Sequence, residues 1–486
     1  MKILILSWIP WSGKSTFRDE FIKINPNTLI LSSDDIRDDL IQKNLKINPE
    51  FKIRWQVNPF IELYDRLEKE IINNVYEYII FDATNISKKE RRKVLNFIKN
   101  INTEIKIDLY AFYNDIFTTY DRIFKRTEEY KKSWINKEIY LHKFVNRNVV
   151  NKMLQRFDVP DINEWFDNII IFNYALNLII GSNSFNEYIW IDLKTIDKIS
   201  NTIKNNINSI NLYEKEYLSI IDINDYLKNN TIIEKQLYQF INNIRDIFYE
   251  ILDLKLINSD EIKMYFNKLL NTCYYFPKYL WFEQTSKYHK ETLDQHIYMM
   301  FEKFIKDYKE NKYQEYFIKT KNNEELFFIK MIILIFFHDV WKLFTRNTKL
   351  NNLRWKWYKF ENNTLFTKSW TPKKIDNLND YQFLWHEKVS ATIFFFEFAP
   401  ILYKYFNYEM GIYSEETVDL INSLYWNIYN HLKYHDILKN TDNNSETNTD
   451  LFIAKINETK LPYTAWYIDY YLWHYLEDLD NKSRIE

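Results

Sequence analysis

Lys2-Ile3-Leu4-Ile5-Leu6-Ser7-Trp8-Ile9-Pro10-Trp11-Ser12-Gly13-Lys14-Ser15-Thr16 opens the chain, and its reading decides the fold of the first third. Lys2 to Ser7 is almost entirely apolar, the pattern of a central strand covered on both faces of a parallel sheet. The residues after it match a phosphate-binding loop in all but two positions. Such a loop needs backbone N–H groups converging on a β-phosphate at a helix N-terminus, a lysine reaching the β/γ oxygens, and a hydroxyl for Mg²⁺. Gly13, Lys14 and Ser15 supply these, within a cradle that runs from Ser12 to Thr16.

The two misfits are Trp8 and Trp11, which stand where glycine lets such a loop curl. They belong to a wider anomaly. The chain has 3 glycines and 15 tryptophans in 486 residues, whereas average usage would give roughly 34 glycines. It is crowded with Ile, Lys, Asn, Tyr and Phe, as AT-rich coding produces, and that bias should deplete both glycine and tryptophan. Some bacterial lineages and their phages read UGA as glycine, and translation with a UGA-as-tryptophan table writes Trp at those positions. On that hypothesis the loop reads G-I-P-G-S-G-K-S-T. TGG codons at these positions would refute it.

The remaining composition sets bounds. Lys and Arg total 65 against 67 Asp and Glu, a net charge of -2, so any attraction to nucleic acid has to come from local basic clusters. The single cysteine, Cys273, excludes an internal disulfide framework and fits a reducing compartment. The N-terminal apolar run is too short for a membrane span and lacks a cleavage site, and Phe327 to Phe337 is also too short, so no membrane association is expected. A cytoplasmic location, in a bacterial or phage-infected cell, is the expectation. This length calls for more than one domain: a module over 1–172, a mostly helical connector over 173–270 with a short β segment from Tyr188 to Leu193, and a second module over 271–486.

After a second apolar strand, Thr28 to Leu31, the segment Ser32-Ser33-Asp34-Asp35-Ile36-Arg37 puts carboxylates at the C-terminal edge of a strand, beside the expected phosphate site. Tyr78 to Phe81 reads as a third strand ending in Asp82-Ala83-Thr84-Asn85, followed by the basic run Lys88 to Lys93. Beyond the strand Ile105 to Phe112, Arg122 and Arg126 fall on one helical face. Glu164-Trp165-Phe166-Asp167, read as E-G-F-D, precedes the closing strand Ile169 to Phe172. The ensemble resembles the phage and bacterial polynucleotide 5′-kinases. That resemblance implies an α/β P-loop domain with a parallel sheet, using ATP and Mg²⁺. It implies Asp34 as general base for a 5′-hydroxyl, with Asp35 the alternative, and Arg37 against the acceptor. Asp82 falls near the metal, and Arg122 and Arg126 form a lid over the phosphates. Lys88 to Lys93 is either a solvated helix face or part of the acceptor side.

Seven of the 8 histidines fall in the last two-fifths of the chain, from His289 onward. His338-Asp339-Val340-Trp341-Lys342 follows an apolar helix, and with glycine at 341 becomes H-D-V-G-K. It resembles the signature of the HD-domain phosphohydrolases, all-α proteins whose His and Asp side chains hold one or two divalent metals. The resemblance adds His296, His386 in a G-H-E-x-x-S-A-like string, His431 and His435 one helical turn apart, and Asp480 in a closing D-x-x-S-R, with Asp478 as alternative. A transition metal such as Mn²⁺, Ni²⁺ or Fe suits this donor set, and Lys342 and Lys287 are candidates for phosphate oxygens. Together the halves imply an enzyme that heals RNA or DNA ends, possessing a 5′-kinase and a 3′-end or 2′,3′-cyclic phosphohydrolase, with a ligase acting downstream. A small-metabolite kinase fused to a nucleotidase, or a degenerate P-loop scaffold tethering a hydrolase, are the rivals.

Overall fold

The computed structural model describes residues 1–7, 13–47, 58–133, 143–145, 147–160, 164–173, 178–183, 188–192, 223–273, 275–284, 290–314, 316–317, 323–340, 342–345, 347–348, 359–361, 364–366, 372–374, 381–383, 386–412, 414–430 and 470–482. Two compact units divide it, Met1–Asn230 and Thr231–Glu486. No helix among the described residues is long and apolar enough to cross a membrane.

In the first unit, strand β1 (Lys2–Ser7) lies between β3 (Tyr78–Asp82) and β4 (Lys106–Tyr113), with β2 (Thr28–Ser32) outside β3 and β5 (Asn168–Asn173) outside β4. All five are parallel, in registers such as Ile5↔Phe81 and Ile5↔Leu109. Parallel neighbours need crossovers, supplied by α1 (Lys14–Ile24), α2 (Ser33–Ile47), α3 (Pro59–Asn73), α4 (Lys88–Ile101), α5 (Ile116–Lys132) and α6 (Arg147–Arg156). Each starts or faces where local chemistry directs it. Asn58 caps α3 by accepting from the Phe60 N–H, and Leu63, Leu67 and Ile71 form its buried stripe. Ser87 and Glu90 form a reciprocal capping box on α4, satisfying two N–H groups the helix leaves open. Phe17 anchors α1, its ring centroid 5.2 Å from those of Tyr110 and Phe112 and 5.6 Å from Phe172.

Two features depart from the sequence reading. The sheet does not end at β5: β6 (Leu178–Asn183) and β7 (Tyr188–Asp192) extend it antiparallel, so part of the stretch read as connector belongs to the sheet. Within the basic run, Arg91 is fully buried, whereas Lys89, Arg92 and Lys93 are exposed.

The second unit is largely helical. Glu324–Phe337 is buried continuously from Phe327 to Phe337, including Lys330, which donates to the Tyr316 hydroxyl at 3.3 Å. Phe240, from the helix Ile223–Asp253, packs edge-on against Phe336, and Phe304, from Leu293–Lys309, packs on Phe328. A run from His386 to Glu409 alternates α turns with π turns at Phe394–Phe398 and Tyr405–Glu409. The expectation of a wholly α module is corrected. Short strands between Asn347 and Gln382 form a three-stranded and a two-stranded antiparallel ribbon, in the interval between the His338-Asp339 and His386 segments that the helical periodicity does not reach.

Five non-glycine residues among those described have positive φ: Asn74, Asn85, Asn311, Trp165 (φ 68) and Trp281 (φ 61). Asparagine visits the left-handed region readily; for a bulky residue it is strained. Both indoles are mostly exposed, at 79% and 80%, so burial does not compensate.

Candidate functional site

At the carboxyl edge of the parallel sheet, β1, β2 and β3 end at Ser7, Ser32 and Asp82, the edge at which open α/β sheets bind ligands. Gly13, at φ 104, caps α1, a left-handed turn that glycine adopts without strain. Lys14, Ser15 and Thr16 form the first turn of that helix, so their backbone N–H groups and the helix dipole face any anion placed there. Ser12, with Trp8 and Trp11, lies outside the described residues.

Lys14 shares its electrostatic environment with Asp82 and Asp34. Burial pulls its pKa below the usual lysine value, while those two carboxylates oppose the shift. Asp82, buried at the end of β3, is pushed up by burial and pulled back by Lys14 and Arg18. Asp34 is exposed in the first turn of α2 and pairs with Arg37 at 2.5 Å. Arg18, one turn beyond Lys14, lies 3.4 Å from both Asp35 and Asp82. The sequence reading did not single out Arg18, although its i, i+4 spacing from Lys14 carries the signal. Arg122 and Arg126 stand on α5, which begins just past the carboxyl end of β4; Arg126 donates to the Tyr130 hydroxyl of the same helix at 3.2 Å. Ser15 and Asp82 offer the oxygen donors that Mg²⁺ prefers.

The second centre gathers side chains far apart in sequence. His296 comes from the helix Leu293–Lys309, His338 and Asp339 from the end of Glu324–Phe337, His386 from the first residue of His386–Ile393, and Asp480 from Tyr470–Lys482. All are buried. Asp339 is the hub: its carboxylate lies 3.2 Å from His338 Nε2, 3.0 Å from His386 Nε2, 3.9 Å from His296 Nε2 and 2.5 Å from Lys342 Nζ. His296 Nε2 lies 2.9 Å from Asp480, whereas Asp478 pairs with Lys482. One ligand atom each from His296, His338 and Asp339 fall within 4.8 Å of one another.

The Nδ1 atoms of these histidines explain the orientation. His338 Nδ1 meets the Leu334 and Ile335 carbonyls at 3.2 and 3.0 Å, and His386 Nδ1 meets the Phe383 carbonyl at 2.6 Å. A carbonyl only accepts, so Nδ1 of each ring donates to it, which leaves Nε2 directed at Asp339. His296 Nδ1 lies 3.4 Å from the buried Glu291 carboxylate, the arrangement that orients and strengthens metal-ligating imidazoles. Burial acts to lower the His296 pKa, but Asp480 and Glu291 raise it to about 9. Burial would raise the Asp339 carboxyl, yet His338, Lys342 and His386 hold it well below the usual carboxylate range. This buried nitrogen and oxygen donor set fits a divalent transition metal. Lys342 is held between Asp339 and Gln284, 2.9 Å from the latter. Glu291 and Gln284 escaped the sequence reading, since neither belongs to a motif. His431, His435 and Lys287 lie outside the described residues.

Residues 9–160 match the AAA domain family. No curated protein matches the chain. Among solved structures it is similar to a fungal RNA kinase, at 14% identity and a TM-score of 0.24, over 46% of this chain and 97% of that one. By the family match over residues 9–160 and its parallel sheet, the N-terminal part of the chain is a P-loop, kinase-like α/β domain, which implies ATP and Mg²⁺ as its cofactors.

Proposed function

We propose that the chain is a bifunctional nucleic-acid end-healing enzyme: an ATP-dependent 5′-hydroxyl polynucleotide kinase joined to an HD-type, metal-dependent phosphohydrolase of 3′-phosphate or 2′,3′-cyclic phosphate ends. The observation that carries the reading is that Lys14, Asp34 and Asp82 follow or end adjacent strands at the carboxyl edge of one parallel sheet, with both carboxylates acting on the Lys14 charge, because phosphoryl transfer to a hydroxyl needs a phosphate-binding cation beside a carboxylate base. In this reading Lys14 binds the β/γ oxygens, Asp34 takes the proton from the 5′-hydroxyl, and Arg37 orients the acceptor. Arg122 and Arg126 cover the transferring phosphate, and Ser15 and Asp82 would hold Mg²⁺.

In the second unit His296, His338, Asp339, His386 and Asp480, with His431 and His435, would hold one or two ions such as Mn²⁺, Ni²⁺ or Fe. When bound, such an ion lowers the pKa of water and neutralises phosphate charge. In this reading Lys342 and Lys287 would take phosphate oxygens. RNA or DNA ends are the substrates, and a ligase is the downstream consumer of the healed ends.

The kinase role needs an open loop at Trp8 and Trp11, and we infer that these positions are glycine in the protein its own cell makes, encoded by UGA. The strained backbone at Trp165 and Trp281 supports this, because both positions have the conformation glycine prefers. TGG codons there would remove the inference.

An end-labelling assay tests the main reading. Glycine-restored protein with γ-labelled ATP should transfer label to a 5′-OH oligonucleotide, and Lys14→Ala should abolish transfer. No end labelling, with turnover of a nucleoside or sugar instead, would replace the reading by a small-metabolite kinase.

A further inference from the structure

Arg91 and Glu164 form an ion pair inside the first unit, both side chains 0% exposed. The contact is bidentate: Nε donates to one Glu164 oxygen at 2.7 Å and Nη2 to the other at 2.6 Å. Taking two charges out of water is expensive, and a well-packed apolar pair usually holds a fold as well or better. Stability alone therefore leaves the pair without a reason.

Its other contacts supply one. Arg91 Nη1 donates to the carbonyls of Ile86 at 3.0 Å and Asn85 at 3.4 Å. Both belong to the turn that leaves β3 after Asp82, where Asn85 is held at φ 42. The Asn85 carbonyl also accepts from Ser7 Oγ, and its Nδ2 donates to the Leu6 carbonyl, each at 2.8 Å. The guanidinium thus grips a turn that is itself tied to the end of β1 and that directly follows Asp82, the last residue of β3. Asp158 grips the same turn from a third direction, its N–H donating to the Ile86 carbonyl at 2.9 Å and its carboxylate accepting from the Lys88 N–H at 2.8 Å.

We propose that Arg91 and Glu164 are positioning residues of the phosphotransfer site, holding the Asp82–Ile86 turn so that Asp82 stands beside Lys14. The assignment rests on the kinase reading above. A hydrogen-bonded ion pair fixes direction as well as distance, which an apolar pair does not, and small misplacement of a positioned group is costly in phosphoryl transfer.

The test replaces the pair by Arg91→Met with Glu164→Leu in the glycine-restored chain, and reads ATP affinity, kcat on a 5′-OH oligonucleotide, and amide hydrogen exchange over residues 82–88. The double variant should fold and bind ATP as the parent does, while kcat falls by about 10- to 100-fold and exchange in the turn speeds up. Undiminished kcat with native exchange protection overturns the proposal. Should the double variant fail to fold, Arg91→Lys decides by the same readings, because it keeps the charge but cannot span the carboxylate and both carbonyls. A parent without kinase activity sinks the kinase reading instead, and exchange over the turn then judges the positioning role alone.

Discussion

At residues 165 and 281 the ordinary order of glycine and alanine stability should invert. Away from special backbone positions, glycine is less stable than alanine by roughly 0.5–1 kcal/mol, because it loses more freedom on folding. Trp165 and Trp281 have φ of 68 and 61, where a Cβ costs about 1–2 kcal/mol. Removing either indole forfeits little: with 79% and 80% of each residue exposed, about 50 Å² leaves the protein surface, worth at most about 1 kcal/mol. Alanine and glycine forfeit it equally, so their difference isolates the backbone. Set against glycine's own entropic cost of about 0.5–1 kcal/mol, that strain leaves glycine ahead of alanine by about 0.5–1 kcal/mol at each position, or roughly 1–4 °C in the melting temperature of the unit concerned. Scanning calorimetry of Trp165→Gly against Trp165→Ala, and of the same pair at 281, measures it, the two units being followed separately. Alanine equal to or above glycine at both positions refutes the strain argument and withdraws its support for UGA-encoded glycine.

Other outcomes follow from the second unit. Mn²⁺ at about 100 times its dissociation constant should stabilise this unit by about 2.7 kcal/mol; Asp339→Ala should abolish the thermal shift. Glu291→Gln should weaken Mn²⁺ binding by about 10- to 100-fold in calorimetric titration, as loss of a ligand's hydrogen-bond partner does; unchanged affinity would deny Glu291 its orienting role. Burial pushes the His474 imidazole below its ordinary 6.5, with Asp478 opposing the shift and Lys482 adding to it. The folded state thus binds fewer protons there than the unfolded, and the stability is full above 6.5 and lost as pH falls below it. His474→Gln should make the melting temperature of this unit fall less steeply over that range, and parallel profiles would contradict the assignment.

Much of the first unit was legible because its strands are short apolar runs that end in chemistry: Lys2 to Ser7 into Gly13-Lys14-Ser15, Thr28 to Ser32 into Asp34, and Tyr78 to Phe81 into Asp82. Arg91 shows where legibility stops. It shares a buried stripe with Val94, Leu95 and Ile98, a helical period that was present in the sequence, but the surrounding Lys and Arg disguised it as a solvated face. Its partner Glu164 lies 73 residues away, a pairing that no local pattern encodes. Leu178–Asn183 escaped for a related reason, and the β segment expected from Tyr188 to Leu193 was assigned to the connector instead of the sheet, since which sheet edge a short apolar run joins is a tertiary decision. In the second unit, the imidazoles and aspartates stood out as residue types. Glu291 and Gln284 did not, because buried partners of functional side chains look like any other polar residue until the chain folds.

The proposed function requires two phosphate-handling centres that work independently, and mass spectrometry of one oligonucleotide carrying a 5′-hydroxyl and a 2′,3′-cyclic phosphate tests that most directly. The glycine-restored protein with ATP, Mg²⁺ and Mn²⁺ should add phosphate at the 5′ end and open or remove it at the 3′ end. Lys14→Ala should lose only the first change and Asp339→Ala only the second. Neither end altered by the parent protein, or both activities vanishing together in each variant, would contradict it.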